Sequence, residues 1–154
     1  MPREIERKFL VDPAFARTLK SGTEISQGYL PVAGKSVVRA RIYGSRGYLT
    51  LKGETRGMTR TEYEYEIPLD DAREIISSLC EGRVIEKTRY LVTVGKHEWE
   101  IDIFSGRNRG LVVAEIELAD EQEAFERPTW VTQEVTHDPR YYNANLVETP
   151  FGDW

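Results

Sequence analysis

The sequence predicts an α+β protein whose eight antiparallel strands close into a barrel, with a charged lumen and the helices packed outside. Three observations support this fold. Eight segments alternate with a period of two, most connections between them are short and turn-like, and charged residues recur on one face of the strands. Short turns indicate antiparallel pairing, and about eight strands suffice to close a barrel with a usable interior.

The predicted strands cover most of the chain. They lie at about 3–11, 24–31, 37–43, 47–53, 60–68, 83–93, 97–105 and 111–118. The connections at 33–35, 44–47 and 95–96 each contain glycine together with lysine, serine or arginine, which is typical of hairpin turns. These hairpins make the sheet mainly antiparallel.

The longer gaps are predicted to hold four helices. Asp12 followed by Pro13 is typical of an N-cap with proline at the first helical position. A second helix is predicted over 70–80, where apolar side chains share one face. Shorter helices are predicted to start at Asp120 and at Asp138. All four are expected outside the barrel, on the apolar strand faces.

Length and composition bound the class of protein. With 154 residues and no repeat or linker, one domain over 1–154 is expected. No apolar run approaches the roughly 20 residues of a membrane span, and the start MPREIERK lacks the apolar stretch of a secretory signal. A single cysteine fits a reducing cytoplasm, and a net charge of -5 argues against general nucleic-acid binding. We expect a cytoplasmic protein without membrane or nucleic-acid partners, and an apolar outer strand face leaves a homodimer open.

Charged doublets of one sign recur on the same face of successive strands. Glu4, Glu6 and Lys8 share a face of the first strand, and the later doublets are Arg39/Arg41, Glu62/Glu64, Lys87/Arg89, Glu100/Asp102 and Glu115/Glu117. The alternative is the solvent side of an open sheet. Like charges two residues apart repel unless an opposite charge lies between them, and a bound ligand can provide that charge. The set therefore favours a binding lumen.

The two signs of charge predict two kinds of partner. Arginine and lysine suit phosphate oxygens, whereas carboxylates suit hard cations such as Mg²⁺ or Mn²⁺. Together they indicate a polyanion that carries metal, for which a chain of phosphates is the simplest candidate.

These motifs resemble the CYTH domain of the triphosphate tunnel metalloenzymes. The signature ExExK is present in EIERK, followed in order by QGYL at 27–30, RAR at 39–41, LTLK at 49–52, EYE at 62–64, EKTRY at 86–90, EID at 100–102 and AEIE at 114–117. The chain is most similar to the compact bacterial inorganic triphosphatases. The resemblance implies a metal-dependent hydrolase that cleaves tripolyphosphate to pyrophosphate and phosphate inside a β-barrel tunnel.

The resemblance also implies residue roles. The metal, Mg²⁺ or Mn²⁺, is expected on Glu4, Glu6 and Glu117, with Glu115 and Asp102 as further ligands. The substrate phosphates are expected on the basic residues Lys8, Arg39, Arg41, Lys52, Arg60, Lys87 and Arg89. Catalytic roles are expected for Lys8, Tyr29, Glu62 and Glu64.

Some of these residues have simpler interpretations. Tyr29 could only pack, Arg60 could be a surface arginine, and Glu62, Glu64, Asp102 and Glu115 could only balance the basic residues. His97 and His137 are expected to be exposed, and Cys80 to lie in the core. Trp99, Trp130, Tyr141 and Tyr142 are expected to pack outside the barrel. The segment EVTHDPRYYNANL also resembles the family, and the resemblance implies that it packs a helix against the tunnel.

Three other functions stay open. One is hydrolysis of an organic triphosphate, either a nucleotide or thiamine triphosphate. Another is the adenylyl cyclase activity found in the same family, which the absence of histidine from EISQGYLPV argues against. The last is a non-catalytic polyphosphate or nucleotide-binding module, which the acidic doublets argue against because binding alone needs mainly the basic residues.

Overall fold

A computed structural model describes residues 2–154, and its architecture is the predicted barrel. The strands are β1 (Arg3–Val11), β2 (Thr23–Tyr29), β3 (Val37–Tyr43), β4 (Arg46–Lys52), β5 (Thr59–Ile67), β6 (Val84–Val94), β7 (His97–Phe104), β8 (Val112–Glu117) and β9 (Val131–Glu134). The helices are α1 (Pro13–Ala16), α2 (Leu69–Ser78) and α3 (Asn143–Leu146), with single 3-10 turns at Gly106–Asn108, Pro139–Tyr141 and Phe151–Asp153.

The first eight strands form a closed antiparallel ring in the order β1-β5-β4-β3-β2-β6-β7-β8, because β8 pairs again with β1. The ring closes along β1. Its first residues pair with β5, with Glu4 opposite Arg60, and its last residues pair with β9. The predicted fold class, a closed eight-stranded barrel with few helices, is confirmed.

The elements that the sequence predicted least well follow β8. The four-residue strand β9 was not predicted, since its position depends on pairing with β1. The prediction of a helix starting at Asp120 was wrong. The chain forms a turn there, in which the Asp120 carboxylate accepts the N–H of Gln122 (2.8 Å). At Asp138 only the 3-10 turn forms, with the Asp138 side chain accepting the Arg140 N–H.

The earlier helices form where the sequence places them. The Asp12 carboxylate accepts the N–H of Ala14 (2.9 Å) and so caps α1. Helix α2 packs across β2, β3 and β4. Cys80, just beyond α2, is fully buried against Gly28 of β2, as expected for a core residue.

An apolar core lies outside the barrel wall. Trp99 is fully buried there, with its ring centroid 5.5 Å from that of Phe9 and 5.4 Å from that of Trp130. His97 borders this core and is only 9% exposed, so the expectation that it is exposed was wrong. Its Nε2 lies 2.5 Å from a carboxylate oxygen of Glu123, which ties the loop after β8 to β7.

A second apolar cluster covers one end of the barrel. Along several strands the lumen-facing row of charges ends in an apolar residue, and these residues pack with the C-terminal segment. The strands contribute Leu10, Tyr29, Ile85, Phe104 and Val113, and the C-terminal segment contributes Tyr141, Leu146 and Val147. The segment 136–148 therefore forms the floor of the lumen.

Candidate functional site

A cavity of about 720 Å³ opens into the barrel. The predicted site residues that line it are Glu4, Glu6, Lys8, Tyr29, Arg39, Lys52 and Arg60. Other predicted residues continue the same strand rows, and ion pairs join them to the cavity lining or to each other: Glu62, Glu64, Lys87, Arg89, Asp102 and Glu115. Arg41 donates a hydrogen bond to Gln27, which is buried in the lumen. Glu117 is exposed and pairs with Glu6 in the β1–β8 register. The barrel thus brings the predicted residues to one lumen.

Acidic side chains gather around Lys52 at the open side of the lumen. The Nζ atom of Lys52 lies 3.0 Å from Glu4 and 3.2 Å from Glu62. Glu6 lies two residues along β1 from Glu4, and its Cα pairs with that of Glu117. We call these four carboxylates, Glu4, Glu6, Glu62 and Glu117, the acidic cluster. One ammonium group does not balance their charge.

This excess of negative charge changes the protonation of the cluster. Burial raises the pKa of Glu4 despite the nearby Lys52, and burial with the charges of Glu115 and Glu4 raises the pKa of Glu6 well above its usual value. Glu117 is exposed at its surface, but its partial desolvation by the barrel wall and the charges of Glu4 and Glu62 raise its pKa as well. Each raised pKa means that a further positive charge would be favourable here.

The acidic cluster suits a hard divalent cation in its chemistry. Its donors are carboxylate oxygens, the ligands that Mg²⁺ and Mn²⁺ prefer, and burial together with neighbouring carboxylates raises the pKa of three of the four, Glu4, Glu6 and Glu117. Within residues 2–154, however, no three histidine, cysteine or acidic side chains already stand at metal-binding spacing. Lys52 instead makes the contacts that a cation would make.

Deeper in the lumen, two cations share one carboxylate. Arg89 donates to both oxygens of Asp102, at 2.8 and 2.9 Å, and the Nζ atom of Lys87 lies 2.7 Å from Asp102. Burial alone would raise the pKa of Asp102, but Lys87 and Arg89 hold it at about 2. Because its oxygens are occupied by cations, the geometry of Asp102 suits charge balance better than metal binding.

Of Lys87, Arg89 and Asp102, Lys87 is the residue whose charged form is destabilised by its surroundings. Its side chain is fully buried, and burial together with Arg89 and Arg41 lowers its pKa to about 7, against the opposing effect of Asp102. Its Nζ atom also donates to the side-chain oxygen of Asn143 at 3.2 Å and lies 5.3 Å from the ring centroid of Phe104. A bound polyanion would therefore stabilise the charged form of Lys87.

Lys8 lies between the acidic cluster and the floor of the lumen. Its Nζ atom is 3.6 Å from Glu115 and donates to the carbonyl of Tyr141 at 3.3 Å. Burial alone would lower its pKa, but Glu115 and Glu6 raise it, so Lys8 stays charged. The ring centroid of Tyr142 lies 5.7 Å from the ammonium group. Tyr142 also lines the cavity, so the expectation that it packs outside the barrel was wrong.

The two arginines of β3 face different partners. Arg39 donates to Thr50 at 3.2 Å and lies 3.5 Å from Glu64, while its buried Nε has no hydrogen-bond partner among the described residues. Arg41 donates to the side-chain oxygen of Gln27 at 2.8 Å, and burial with the charges of Arg39 and Arg89 lowers its pKa to about 10. Both guanidinium groups retain donors for an anion.

Tyr29 and Arg60 occupy different depths. The hydroxyl of Tyr29 is buried and accepts a hydrogen bond from the Gln27 side-chain amide at 2.7 Å, which fixes its direction. Arg60 is half-buried at the rim, where its Nε donates to the carbonyl of Gly53 at 3.1 Å.

Sequence reasoning missed three polar residues that hold the charged groups. Gln27 and Thr50 are fully buried in the lumen, and Asn143 contacts Lys87 from the C-terminal segment. Strand parity could have found the first two, since Gln27 precedes Tyr29 by two residues and Thr50 precedes Lys52 by two. No local pattern marks Asn143, because it reaches the lumen only through tertiary packing.

Comparison with known proteins identifies the family and agrees with the fold. A family model described as CYTH domain matches residues 2–148. An inorganic triphosphatase of Acetivibrio thermocellus is 48% identical over 98% of this chain and 97% of its own length, and one of Nitrosomonas europaea is 38% identical over 94% and 96%. A crystal structure of an inorganic triphosphatase superposes with a TM-score of 0.66 at 34% identity, covering 96% of this chain and 95% of that one. Among the described residues, no helix is long and apolar enough to cross a membrane.

Proposed function

This chain belongs to the CYTH domain family, and from that premise we propose that it hydrolyses inorganic triphosphate to pyrophosphate and phosphate inside its barrel. The observation that carries the proposal is the separation of charge within one lumen. Buried lysine and arginine groups surround the inner part, while an under-compensated acidic cluster lies at the open side. A phosphate chain with a divalent cation complements both regions.

We assign the metal to Glu4, Glu6 and Glu117, with Glu115 beside them. When bound, Mg²⁺ or Mn²⁺ would neutralise phosphate oxygens and thereby make the phosphorus more electrophilic. Carboxylates of this cluster would be deprotonated on binding it. Asp102 is a weaker candidate, since Arg89 and Lys87 occupy its oxygens.

The basic residues provide the rest of the binding and much of the catalysis. Lys8, Lys87 and Arg89 neutralise the phosphate chain from the buried side, and Arg39, Arg41 and Lys52 contact it from β3 and β4. Such fixed positive groups act most strongly on charge that moves during bond breaking. Asp102 and Gln27 hold Arg89 and Arg41 in one orientation, so little reorganisation is needed.

The reaction itself needs no covalent enzyme intermediate. A water molecule attacks a terminal phosphorus in line, a new P–O bond forms, and the bond to the bridging oxygen breaks. We assign the orientation of this water and the acceptance of its proton to Glu62 or Glu64. Tyr29 and Lys8 then serve the site as neighbouring polar groups that fix the substrate chain.

Phosphate release from tripolyphosphate tests this proposal. The purified chain is assayed with Mg²⁺, with Mn²⁺ and with EDTA, and we expect release with metal and none with the chelator. Equal release in EDTA, or none with either metal, would overturn the proposal. Parallel assays with ATP and thiamine triphosphate measure specificity, and we expect tripolyphosphate to have the highest kcat/KM.

Several narrower points accompany this proposal. The preferred metal is the one of Mg²⁺ and Mn²⁺ that gives the higher kcat/KM. We keep one domain over residues 1–154, a cytoplasmic location and the absence of nucleic-acid and membrane partners as predictions. Exposed apolar side chains on the outer strand face, such as Leu51 and Tyr65, support a homodimer, which light scattering after gel filtration checks.

A further inference from the structure

Arg83 lies immediately before β6, in the phase of its lumen-facing residues and two positions beyond Ile85, where the apolar floor covers that row. It precedes Lys87 by four residues and Arg89 by six, which puts the three basic side chains in the same strand phase. Sequence reasoning included only the latter two as site residues. The side chain of Arg83 lines the same cavity as Lys8 and Arg39.

Backbone pairing places Arg83 beside Tyr29 of β2 and, one strand further, Arg39 of β3. Its carbonyl accepts the N–H of Tyr29 at 2.9 Å, and Tyr29 pairs with Arg39 in the β2–β3 register. Arg83, Tyr29 and Arg39 therefore lie side by side on three adjacent segments. Since neighbouring strands are about 4.8 Å apart, the Cα atoms of the two arginines lie roughly 10 Å apart. Two long side chains at that separation can reach one ligand.

The guanidinium group of Arg83 is only partly used. One terminal nitrogen, Nη1, forms an ion pair with Glu148, which follows α3. Its Nε is buried and has no hydrogen-bond partner among residues 2–154. An unpaired buried donor is unfavourable, and two guanidinium nitrogens match the oxygens of a phosphate. The group is thus prepared for a second anion.

Glu148 is an unusual residue for a cavity that binds a polyanion. Its carboxylate lines the same cavity and would repel phosphate, but the ion pair with Arg83 neutralises both charges. The side chains are 28% and 58% exposed, and ion pairs with this exposure contribute little free energy. A phosphate group can therefore take the place of Glu148 at small cost.

We propose that Arg83 is a further phosphate-binding residue, and that substrate phosphoryl oxygens replace the Glu148 carboxylate on its guanidinium group. This inference rests on the proposed triphosphatase function and identifies a residue that sets substrate affinity. In the free protein Glu148 holds Arg83 in place and competes with the substrate. The cavity of about 720 Å³ falls within the roughly 300–1,000 Å³ of pockets that enclose drug-sized ligands, so it has room for a phosphate chain that reaches Arg83.

Paired variants with opposite expected effects test this inference. Arg83→Ala, Glu148→Gln and a control, Arg17→Ala on the exposed end of α1, are assayed for tripolyphosphate hydrolysis in the full chain. We expect Arg83→Ala to raise KM about tenfold, the lower end of the effect of a charge-assisted hydrogen bond. We assign Arg83 to substrate binding and not to the bond that breaks, so kcat should stay within about twofold. Glu148→Gln should lower KM, and Arg17→Ala should change neither constant.

A structural role would give a different result. If the ion pair only fastens the C-terminal segment, Arg83→Ala and Glu148→Gln should lower Tm and raise KM together, which would overturn the inference. An unchanged KM in Arg83→Ala would also overturn it while leaving the triphosphatase function intact. Calorimetric binding of tripolyphosphate covers the case of a wild-type chain without turnover. If the wild-type chain binds tripolyphosphate without hydrolysing it, the proposed triphosphatase function is wrong. The Arg83 inference then stands if Arg83→Ala binds tripolyphosphate more weakly and Glu148→Gln binds it more tightly. If the wild-type chain does not bind tripolyphosphate, the function and the inference are both overturned.

Discussion

The ammonium group of Lys52 lies 3.0 Å from the carboxylate of Glu4, although the two residues are 48 positions apart in the chain. Lys52 contacts Glu62 as well, at 3.2 Å. It is therefore the direct cationic partner of two members of the acidic cluster. Of these two carboxylates, Glu4 is assigned to the metal and Glu62 is a candidate for orienting the attacking water. Lys52 and a divalent cation thus compensate one negative region.

Removing Lys52 should destabilise the metal-free protein. In Lys52→Met, Glu4 and Glu62 lose their shared partner, and loss of one partner from a buried ion pair costs about 3–5 kcal/mol. We expect the free energy of unfolding in EDTA to fall by about 3 kcal/mol at pH 8. The loss should be smaller at pH 5, because carboxylates with raised pKa values then take up protons. Denaturant unfolding measures both, and Lys20→Met, at an exposed position, is the control. Equal stability of Lys52→Met and wild type at pH 8 would contradict this prediction.

Glu6→Gln should separate metal binding from folding. A raised carboxylate pKa means that ionised Glu6 costs stability above its folded pKa, so a neutral side chain should not destabilise the metal-free protein. We expect Tm in EDTA to be unchanged or higher, the rise of Tm with Mn²⁺ to disappear, and kcat to fall at least about a hundredfold. Scanning calorimetry and phosphate release measure these effects.

The matched control for this variant is Glu86→Gln, an acidic position on the exposed face of β6. It should keep the Mn²⁺ effect on Tm and the wild-type kcat. Retention of the Mn²⁺ effect in Glu6→Gln would show that Glu6 is not a metal ligand.

Binding of tripolyphosphate should be coupled to proton uptake at Lys87. Its pKa of about 7 leaves the amine mostly neutral in the free protein at pH 8, whereas a bound polyanion favours the ammonium form. We expect net proton uptake at pH 8 in EDTA, and a decrease of up to about one proton in Lys87→Met. Titration calorimetry in two buffers of different ionisation enthalpy measures the difference. The control Lys20→Met should take up as many protons as wild type. If Lys87→Met also takes up as many protons as wild type, Lys87 is not the group that is protonated.

Close packing at Gly28 predicts a stability defect without a catalytic one. A Cβ atom at this position would lie 2.6 Å from the Sγ of Cys80, a contact that forces the neighbours to move. We expect Gly28→Ala to lower the free energy of unfolding by about 1–3 kcal/mol, since overpacking has this cost. Adding Cys80→Ala should recover part of the loss, because the closest atom is then gone.

The comparison for Gly28→Ala is Gly53→Ala, where the nearest side-chain atom is 3.5 Å from the new Cβ. That variant should lose less stability. The kcat of Gly28→Ala should stay near that of wild type below Tm, because position 28 faces α2 while Gln27 and Tyr29 face the lumen. If the losses in free energy of unfolding of Gly28→Ala and Cys80→Ala simply add in the double variant, the proposed contact is refuted.

Much of the lumen could be predicted from the sequence because strand alternation is a local property. Side chains two residues apart in a strand lie on the same face. Glu4, Glu6 and Lys8 therefore lie on one face of β1, and Lys87 and Arg89 lie on one face of β6. The eight strands and their short turns were sufficient to predict a closed antiparallel barrel. The alternation also contained Gln27, which was overlooked because an uncharged side chain does not extend a row of charges.

Tertiary structure alone decided which charges meet. Lys52 finds Glu4 and Glu62, and Asp102 holds Lys87 as well as Arg89, because barrel closure and strand register set distances between residues far apart in the chain. The raised and lowered pKa values follow from these distances and from burial, neither of which is local. For the same reason the strand β9 and the Arg83–Glu148 pair were not predicted, and the C-terminal segment was expected to pack against the barrel without its place at one end of the lumen being foreseen. The sequence by itself determined the faces of the strands, and packing determined their partners.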